Sequence, residues 1–174
     1  TVTLNNQSIG LSVFGNHNLQ NLNAAYWACK ELNISTEYFL KAIQHFIGAS
    51  KRLELLAFND KTNVYRDFAH APSKVKATVQ AVHQQFPNRR LIAVLELHTY
   101  SSLNAEFLKE YEGALEYADV AVVFYSPDAV KIKQLEEVTY EQIANAFNRE
   151  DLIIYTNPKD FKDYLFNLNF SFKL

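Results

Sequence analysis

The sequence contains no methionine, and it has only one cysteine, four glycines and four prolines among 174 residues. The single cysteine, Cys29, cannot form an internal disulfide, which favours a reducing, cytoplasmic location. None of the glycines belongs to a G-x-x-x-x-G-K-[ST] or G-x-G-x-x-G pattern. If the protein uses a nucleotide, we therefore expect its phosphate loop on another stretch of polypeptide. The lack of an initiating methionine likewise predicts a piece of a longer protein.

Long apolar runs and a strong excess of charge are also missing. No run approaches the roughly 20 apolar residues that span a bilayer, and the first residues lack the basic and apolar regions of a signal peptide. The formal net charge of -2 argues against general nucleic-acid binding, which needs a clustered basic surface. We expect neither a membrane segment nor a nucleic-acid partner.

The pattern of apolar residues changes about fifty residues into the chain. Before that point it predicts two short strands and two helices, the second capped by Ser35 and ended by Gly48. Beyond it, strands alternate with helices, which predicts an α/β fold: a three-layer sandwich with a mostly parallel, Rossmann-like sheet. We therefore divide the chain into a strand–helix segment, residues 1–47, and an α/β domain, residues 48–174.

Polar side chains follow three of the predicted strands. They occupy residues 67–74, 96–102 and 125–128. Ligands of parallel sheets bind beyond the carboxyl ends of the strands, so these side chains are expected to meet at a binding site. This pattern indicates a site but not a reaction.

Four stretches resemble signatures of the Mur ligase family. Residues 15–25 (GNHNLQNLNAA) resemble G-x-H-N-x-x-N-x-x-A-A, and residues 46–54 (FIGASKRLE) resemble F-x-G-x-x-R-R-x-E. Residues 67–72 (DFAHAP) resemble D-[FY]-[AG]-H-x-P, and residues 96–101 (ELHTYS) are the fourth. Their common order and spacing are more specific than any one of them, and together they span most of the chain.

The resemblance implies an ATP-dependent amide ligase with three domains. Residues 1–47 would be the tail of the central ATP-binding domain with its connecting helices, and residues 48–174 the C-terminal domain, so the missing N-terminal and central domains would be partners of this chain. ATP and Mg²⁺ would turn the carboxylate of UDP-N-acetylmuramate into an acyl phosphate, which the amine of an amino acid or peptide then attacks. The D-F-A-H and H-T-Y letters most resemble the branch that adds L-alanyl-γ-D-glutamyl-meso-diaminopimelate in murein recycling. The L-alanine-adding branch comes next, and the chain alone is expected to be inactive.

Five residues are implied to contact the nucleotide. His17 and Asn18 would lie against the adenine, because an imidazole stacks on a purine and an amide pairs with its edge, and Asn21 is a further candidate. Arg52 would reach the ribose–phosphate region, where its guanidinium fork suits phosphate oxygens. Asp67 would hold the ribose hydroxyls.

Five more residues are implied to act on the reacting groups or the amine substrate. His70 and Lys74 would be catalytic and would face the phosphates or the incoming amine. His98, Tyr100 and Ser101 would shape the amine pocket. No metal ligand is assigned within the chain.

Simpler roles compete with these assignments. His17 and Asn18 would cap the following helix, Asp67 would pair with Arg66 at the surface, and Arg52 would be a solvated charge. The loop histidines would be structural, and the tyrosine of the fourth stretch would be a packing residue with a wet hydroxyl.

The main alternative function is a non-catalytic α/β binding or interaction module on a ligase-like scaffold. Departures from the family pattern favour it: Arg66 stands where an acid is common, Ala71 where a second histidine is common, and Lys51 replaces the first arginine of R-R. Residues 169–174 also lack the expected S-S-G-type last strand. A flavodoxin-like or response-regulator-like domain ranks third, because the acidic cluster or phosphate loop of such domains is missing.

Overall fold

The computed structural model describes residues 1–168, so the expectation for residues 169–174 lies outside the described residues. Within that range the strands are β1 (Val2–Leu4), β2 (Gln7–Ile9), β3 (Glu54–Phe58), β4 (Asn63–Arg66), β5 (Ile92–Leu97), β6 (Val120–Tyr125) and β7 (Ile153–Tyr155). The helices are α1 (Asn16–Glu31), α2 (Thr36–Gln44), α3 (Pro72–Gln85), α4 (Ala105–Leu108), α5 (Pro127–Ile132), α6 (Tyr140–Phe147) and α7 (Pro158–Asn167), with a 3-10 turn at Lys109–Tyr111. None of these helices is long and apolar enough to cross a membrane.

The first part of the chain is a hairpin with two helices. β1 and β2 pair antiparallel across Asn5 and Asn6, whose φ angles of 48° and 63° suit a two-residue hairpin turn. The hairpin and the two helices enclose a small core of Leu22, Phe39 and Leu40. The two strands and two helices predicted here are confirmed.

The beginning of α2 matches the prediction and its end does not. The Ser35 hydroxyl accepts a hydrogen bond from the Tyr38 amide, as a cap should. The helix ends at Gln44 rather than at Gly48, and Phe46 and Ile47 are exposed in the connection to β3. The His45 amide donates to the Ala42 carbonyl and the Phe46 amide to the Ile43 carbonyl, so the last turn tightens and the helix ends before Gly48.

The second part is built on a parallel sheet of β5, β6 and β7 in that order. On one face Leu97 and Val123 belong to the main core, to which α3 and α6 also contribute. On the other face Phe124 stacks on Phe161 of α7, with ring centroids 5.2 Å apart. Helices therefore cover both faces of the sheet, and the predicted α/β sandwich is confirmed.

The hairpin of β3 and β4 is a separate antiparallel sheet. These two strands are the antiparallel exception to the mostly parallel arrangement that the sequence predicted. The turn between them is only a few residues long and reverses the chain, whereas parallel neighbours need a crossover of a dozen residues or more. A cavity of about 180 Å³, lined by Tyr65 and Asp67 on one side and by Ala93 and Leu95 on the other, separates β4 from β5.

Candidate functional site

Arg52 lies in a tight turn before β3. Its neighbours Lys51 and Leu53 have left-handed backbones, with φ of 57° and 47°. Two carboxylates hold this conformation: Glu54 accepts from the Lys51 amide at 2.8 Å, and Asp67 accepts from the Leu53 amide at 2.9 Å. Such residues cost on the order of 1–3 kcal/mol each and cluster at functional sites, so the turn supports Arg52 as a candidate.

The Asp67 carboxylate joins three segments. Besides the Leu53 amide, it accepts from the Ala69 amide at 2.7 Å and from the Thr78 hydroxyl of α3 at 3.3 Å. The surface pair that we considered for Asp67 is wrong, because Arg66 donates to Glu54 at 2.9 Å. Asp67 therefore fixes the shape of the Arg52 turn.

Phe68 brings the two loop histidines and Arg52 together. Its ring centroid lies 5.1 Å from that of His70 and 6.1 Å from that of His98, and the Arg52 guanidinium carbon lies 5.9 Å from it. The two imidazoles are 6.2 Å apart. We call these four residues the histidine cluster. His70 and His98 thus meet as the strand-end pattern predicted, whereas Arg52 lies before β3 and was not part of that pattern. Phe68 is a further member that the sequence did not single out.

Both imidazoles face backbone carbonyls through Nδ1. His70 Nδ1 lies 3.0 Å from the Phe68 oxygen, and His98 Nδ1 lies 3.3 Å from the Glu96 oxygen. A carbonyl only accepts, so Nδ1 donates in both contacts. In a neutral ring, Nε2 is then the atom that can accept a proton.

The surroundings of the histidine cluster suit an anion. No carboxylate of residues 1–168 lies within 4.0 Å of the charged groups of Arg52 or Lys74. Lys74 is exposed in the first turn of α3, where the N-cap residue Ala71 makes no side-chain cap. The Lys74 and Val75 amides already donate to the Ala71 carbonyl, so the two side-chain cations are the groups that favour phosphate oxygens here.

Tyr111 supports the histidine cluster through a hydrogen bond, and the sequence analysis did not identify it. Its hydroxyl donates to the His70 carbonyl, and the ring is fully buried. Burial raises the pKa of Tyr111 to about 12, so the hydroxyl keeps its proton over the ordinary pH range. This bond ties the loop after β4 to the main core.

The loop after β5 is held by its own hydroxyl groups. The Thr99 amide donates to the Ser102 oxygen at 2.9 Å, and the Ser102 amide donates to the Thr99 hydroxyl at 3.0 Å. Ser101 is exposed, with its oxygen 3.2 Å from that of Thr99. The turn that presents His98, Tyr100 and Ser101 is therefore rigid.

Tyr100 is not a packing residue, since 63% of it is exposed. The Lys133 ammonium lies 4.3 Å from the centroid of its ring, within the range of a cation–π contact. Lys133 follows α5, a helix that the apolar pattern did not show, so this neighbour was also missed.

The start of α1 contacts α3 away from the histidine cluster. A Cβ on Gly15 would lie 2.7 Å from the Ala81 Cβ. Ala81 lies ten residues after Ala71, the N-cap of α3, which is about 15 Å along the helix from the loop that carries His70. The side chain of Asn18 donates to the Phe14 carbonyl at 2.8 Å. The N-cap of α1 is Gly15 and no side chain caps it, so the capping role considered for His17 and Asn18 is wrong.

Contacts connect the second, third and fourth family-like stretches. Before them, a Cβ on Gly48 of the second stretch would be 3.6 Å from Val13, which precedes the first stretch. The Phe68 amide donates to the Lys51 carbonyl at 2.8 Å, joining the second and third stretches, and the ring of His98 joins the fourth. His17, Asn18 and Asn21 lie at one end of this series, and Asn21 is exposed.

These features define an α/β domain with a Rossmann-like sheet and a cationic, histidine-bearing loop cluster. Residues 51–165 match the family of the Mur ligase glutamate ligase domain, so the chain belongs to that family and contains the C-terminal domain of a Mur ligase. The family resemblance inferred from the sequence is confirmed at this level.

Similar proteins point to the same family. A UDP-N-acetylmuramate–L-alanine ligase of Lactobacillus delbrueckii subsp. bulgaricus is 31% identical over 167 residues, which cover 94% of this chain and 37% of that protein. The UDP-N-acetylmuramate–alanine ligase structure from Thermotoga maritima has a TM-score of 0.68 at 21% identity, covering 89% of this chain and 33% of its own. A murein peptide ligase from Psychrobacter arcticus has a TM-score of 0.61 at 21% identity, covering 92% and 33%. The chain spans about a third of the length of the curated relatives it matches.

Proposed function

We propose that this chain is the nucleotide-covering, amine-presenting part of a cytoplasmic, ATP-dependent amide ligase that acts on UDP-N-acetylmuramate in peptidoglycan synthesis or recycling. The histidine cluster carries the proposal, because it joins Arg52, which no described carboxylate neutralises, to two imidazoles from separate loops. Family membership supports it. The division into residues 1–47, from the central domain, and residues 48–174 is part of the same proposal.

The reaction would join a carboxylate and an amine through an acyl phosphate. ATP would supply the phosphoryl group, the amine nitrogen would form the new bond to the acyl carbon, and inorganic phosphate would leave. Arg52 and Lys74 would bind the phosphate oxygens with charge-assisted hydrogen bonds. His70 Nε2 would take the proton that the attacking amine releases. The C-terminal domain would thus complete the site by covering it.

The described part of this chain has no cluster of metal ligands of its own. Among residues 1–168, no group of three or more His, Cys, Asp or Glu side chains could hold a metal ion. We therefore propose that Mg²⁺ is bound outside these residues, and we assign it no step here.

The adenine contacts are proposed for His17, Asn18 and Asn21. Gly15, which precedes them at the start of α1, lies near Ala81 and so away from the histidine cluster along α3. This arrangement suits an extended nucleotide with its base and phosphates in different positions. The three hydrogen bonds of Asp67 favour a role in shaping the Arg52 turn over direct contact with the ribose.

We propose the tripeptide L-alanyl-γ-D-glutamyl-meso-diaminopimelate as the amine substrate, because the D-F-A-H and H-T-Y sequences most resemble those of the branch that adds this tripeptide. L-Alanine is the second candidate, because the L. delbrueckii relative is named as an L-alanine ligase. The two differ in size, so only the tripeptide needs room well beyond the reacting amine.

Activity of the full-length protein tests the proposal. With ATP, Mg²⁺ and UDP-N-acetylmuramate, we expect phosphate release that depends on the tripeptide, and the 174-residue chain alone should release none. Arg52→Ala and His70→Ala should lower kcat/KM at least about a hundredfold, the usual size for a lost phosphate contact or general base.

Matched controls separate chemistry from folding. Arg90→Ala and His45→Ala remove exposed residues outside the cluster and should keep wild-type rates. All four variants should unfold at similar urea concentrations. Wild-type rates in Arg52→Ala and His70→Ala would remove these residues from the site, and a wild-type protein inactive with both amines would favour the binding module.

A further inference from the structure

Lys133 and Tyr100 connect the loops that follow two neighbouring strands. β5 and β6 are parallel and in register to their last residues, Leu97 and Tyr125, so both strands end at the same edge of the sheet. Tyr100 lies in the loop after β5, and Lys133 follows α5, the helix after β6. Their contact therefore joins two loops at the edge where parallel sheets bind ligands.

The backbone on both sides of this contact is fixed. At the end of α5, the Gln134 amide donates to the Lys131 carbonyl and the Leu135 amide to the Val130 carbonyl, and Gln134 has φ of 54°. This is the Schellman pattern, which ends a helix in one defined geometry. The hydroxyl bonds of the loop after β5 hold Tyr100 in the same way.

The Lys133 ammonium is held by a ring and not by an acid. Within residues 1–168 no carboxylate lies within 4.0 Å of it, whereas Lys41 pairs with Glu37 at 2.9 Å and Lys76 with Glu116 at 3.5 Å. A cation–π contact keeps the ammonium in place without neutralising its charge, so the charge stays available to an anion.

The loop that carries Tyr100 bears two further hydrogen-bonding groups. The exposed Ser101 hydroxyl follows Tyr100 directly, and the His98 ring comes from the same turn. An ammonium, a hydroxyl and an imidazole on two neighbouring loops suit a carboxylate, which accepts several hydrogen bonds.

We propose that Lys133 is a further binding residue of the amine pocket and takes a carboxylate of the amine substrate. This inference rests on the proposed function, because an amino-acid or peptide amine substrate carries at least one carboxylate. Tyr100 then has a second role, which is to position the Lys133 ammonium. Lys133 touches the part of the substrate that identifies it and not the reacting atoms, so it governs KM more than kcat.

The test compares Lys133→Gln with Lys162→Gln in the full-length protein. Lys162 also lies over a ring, that of Phe166, with its ammonium 5.6 Å from the centroid, but both residues belong to α7. Using whichever of L-alanine and the tripeptide the wild type accepts, we expect Lys133→Gln to raise the KM for that amine about ten- to a hundredfold. The KM values for ATP and UDP-N-acetylmuramate, the far-UV circular dichroism and the urea midpoint should stay unchanged, and Lys162→Gln should match the wild type throughout.

A substrate change gives an independent arm. Replacing the recognised carboxylate by an amide, as in L-alaninamide for L-alanine, should raise the wild-type KM as much as the mutation does and should cost Lys133→Gln nothing further. An unchanged amine KM in Lys133→Gln, or an equal rise for all three substrates, overturns this inference and leaves the proposed function standing. A wild-type protein inactive with both amines overturns both.

Discussion

Replacing Gly15 by alanine tests how α1 meets the α/β domain. Gly15 has φ of 89° and ψ of 146°, a region that is essentially restricted to glycine and costs other residues on the order of 1–3 kcal/mol. The new methyl group would lie 2.7 Å from the Ala81 Cβ, well inside the roughly 3.5–4.0 Å of a normal carbon contact. Relieving such overpacking costs about 1–3 kcal/mol more. We therefore expect Gly15→Ala to lower the free energy of unfolding by about 2–6 kcal/mol.

Urea unfolding measures this loss. With a typical slope of about 2 kcal/mol per molar urea, the midpoint should fall by about 1–3 M. Trp27 is the only tryptophan of the chain and lies in α1, so its fluorescence reports on the first part, while far-UV circular dichroism reports on the whole chain. Gly10→Ala is the matched control, because a Cβ there meets nothing within 4 Å, and it should change stability by less than about 0.5 kcal/mol.

A double variant separates the two causes. Gly15→Ala with Ala81→Gly removes the methyl–methyl contact and keeps the backbone strain. Ala81→Gly alone should cost about 1 kcal/mol in the helix, and the pair should be less destabilised than the sum of the single changes by about 1–3 kcal/mol. Equal midpoints for Gly15→Ala and Gly10→Ala would show that α1 does not pack on α3 in this way.

Three further changes probe the supports of the candidate site, each by urea unfolding. Tyr111→Phe leaves the His70 carbonyl without its donor and should cost about 1–3 kcal/mol. Because the folded pKa of Tyr111 is about 12 against an ordinary 10.0, the wild type should also lose stability as pH rises through that interval, and the variant should lack this loss. Asp67→Ala should cost at least about 1.5 kcal/mol, since several donors lose a charged acceptor; an unchanged midpoint would refute its linking role. The Arg66 side chain holds the pKa of Glu54 below its usual range. The stability that the ionised Glu54 contributes is therefore present at neutral pH and lost as pH falls through the folded pKa. Glu54→Gln should reduce this loss of stability at acid pH.

The sequence predicted the features that depend on local pattern. The apolar runs of β5 and β6 identified buried parallel strands, and the polar letters after β4 and β5 placed His70 and His98 at a common site. Ser35 marked a helix start correctly, because capping depends on adjacent residues.

Features that depend on distant residues were not predictable. Phe68 belongs to the site because its ring contacts residues of two other loops. Tyr111 belongs to it because its hydroxyl donates to a carbonyl forty-one residues away in the sequence. The partner of Asp67 was misjudged because the strand pairing of β3 and β4 brings Arg66 to Glu54. Lys133 was overlooked because α5 is too short to show a period.

The β3–β4 hairpin is not part of the parallel sheet, and this separation determines which part of the protein unfolds first on heating. No backbone hydrogen bonds pair β4 with β5. Side chains attach the hairpin instead: the Asp67 carboxylate accepts from Thr78, and the Tyr65 ring packs against Phe14 and Phe86. Arg89 also donates to the Asp60 carbonyl. Segments held in this way open at lower free energy than a packed core. Warming would therefore release the Arg52 turn while the central strands are still native.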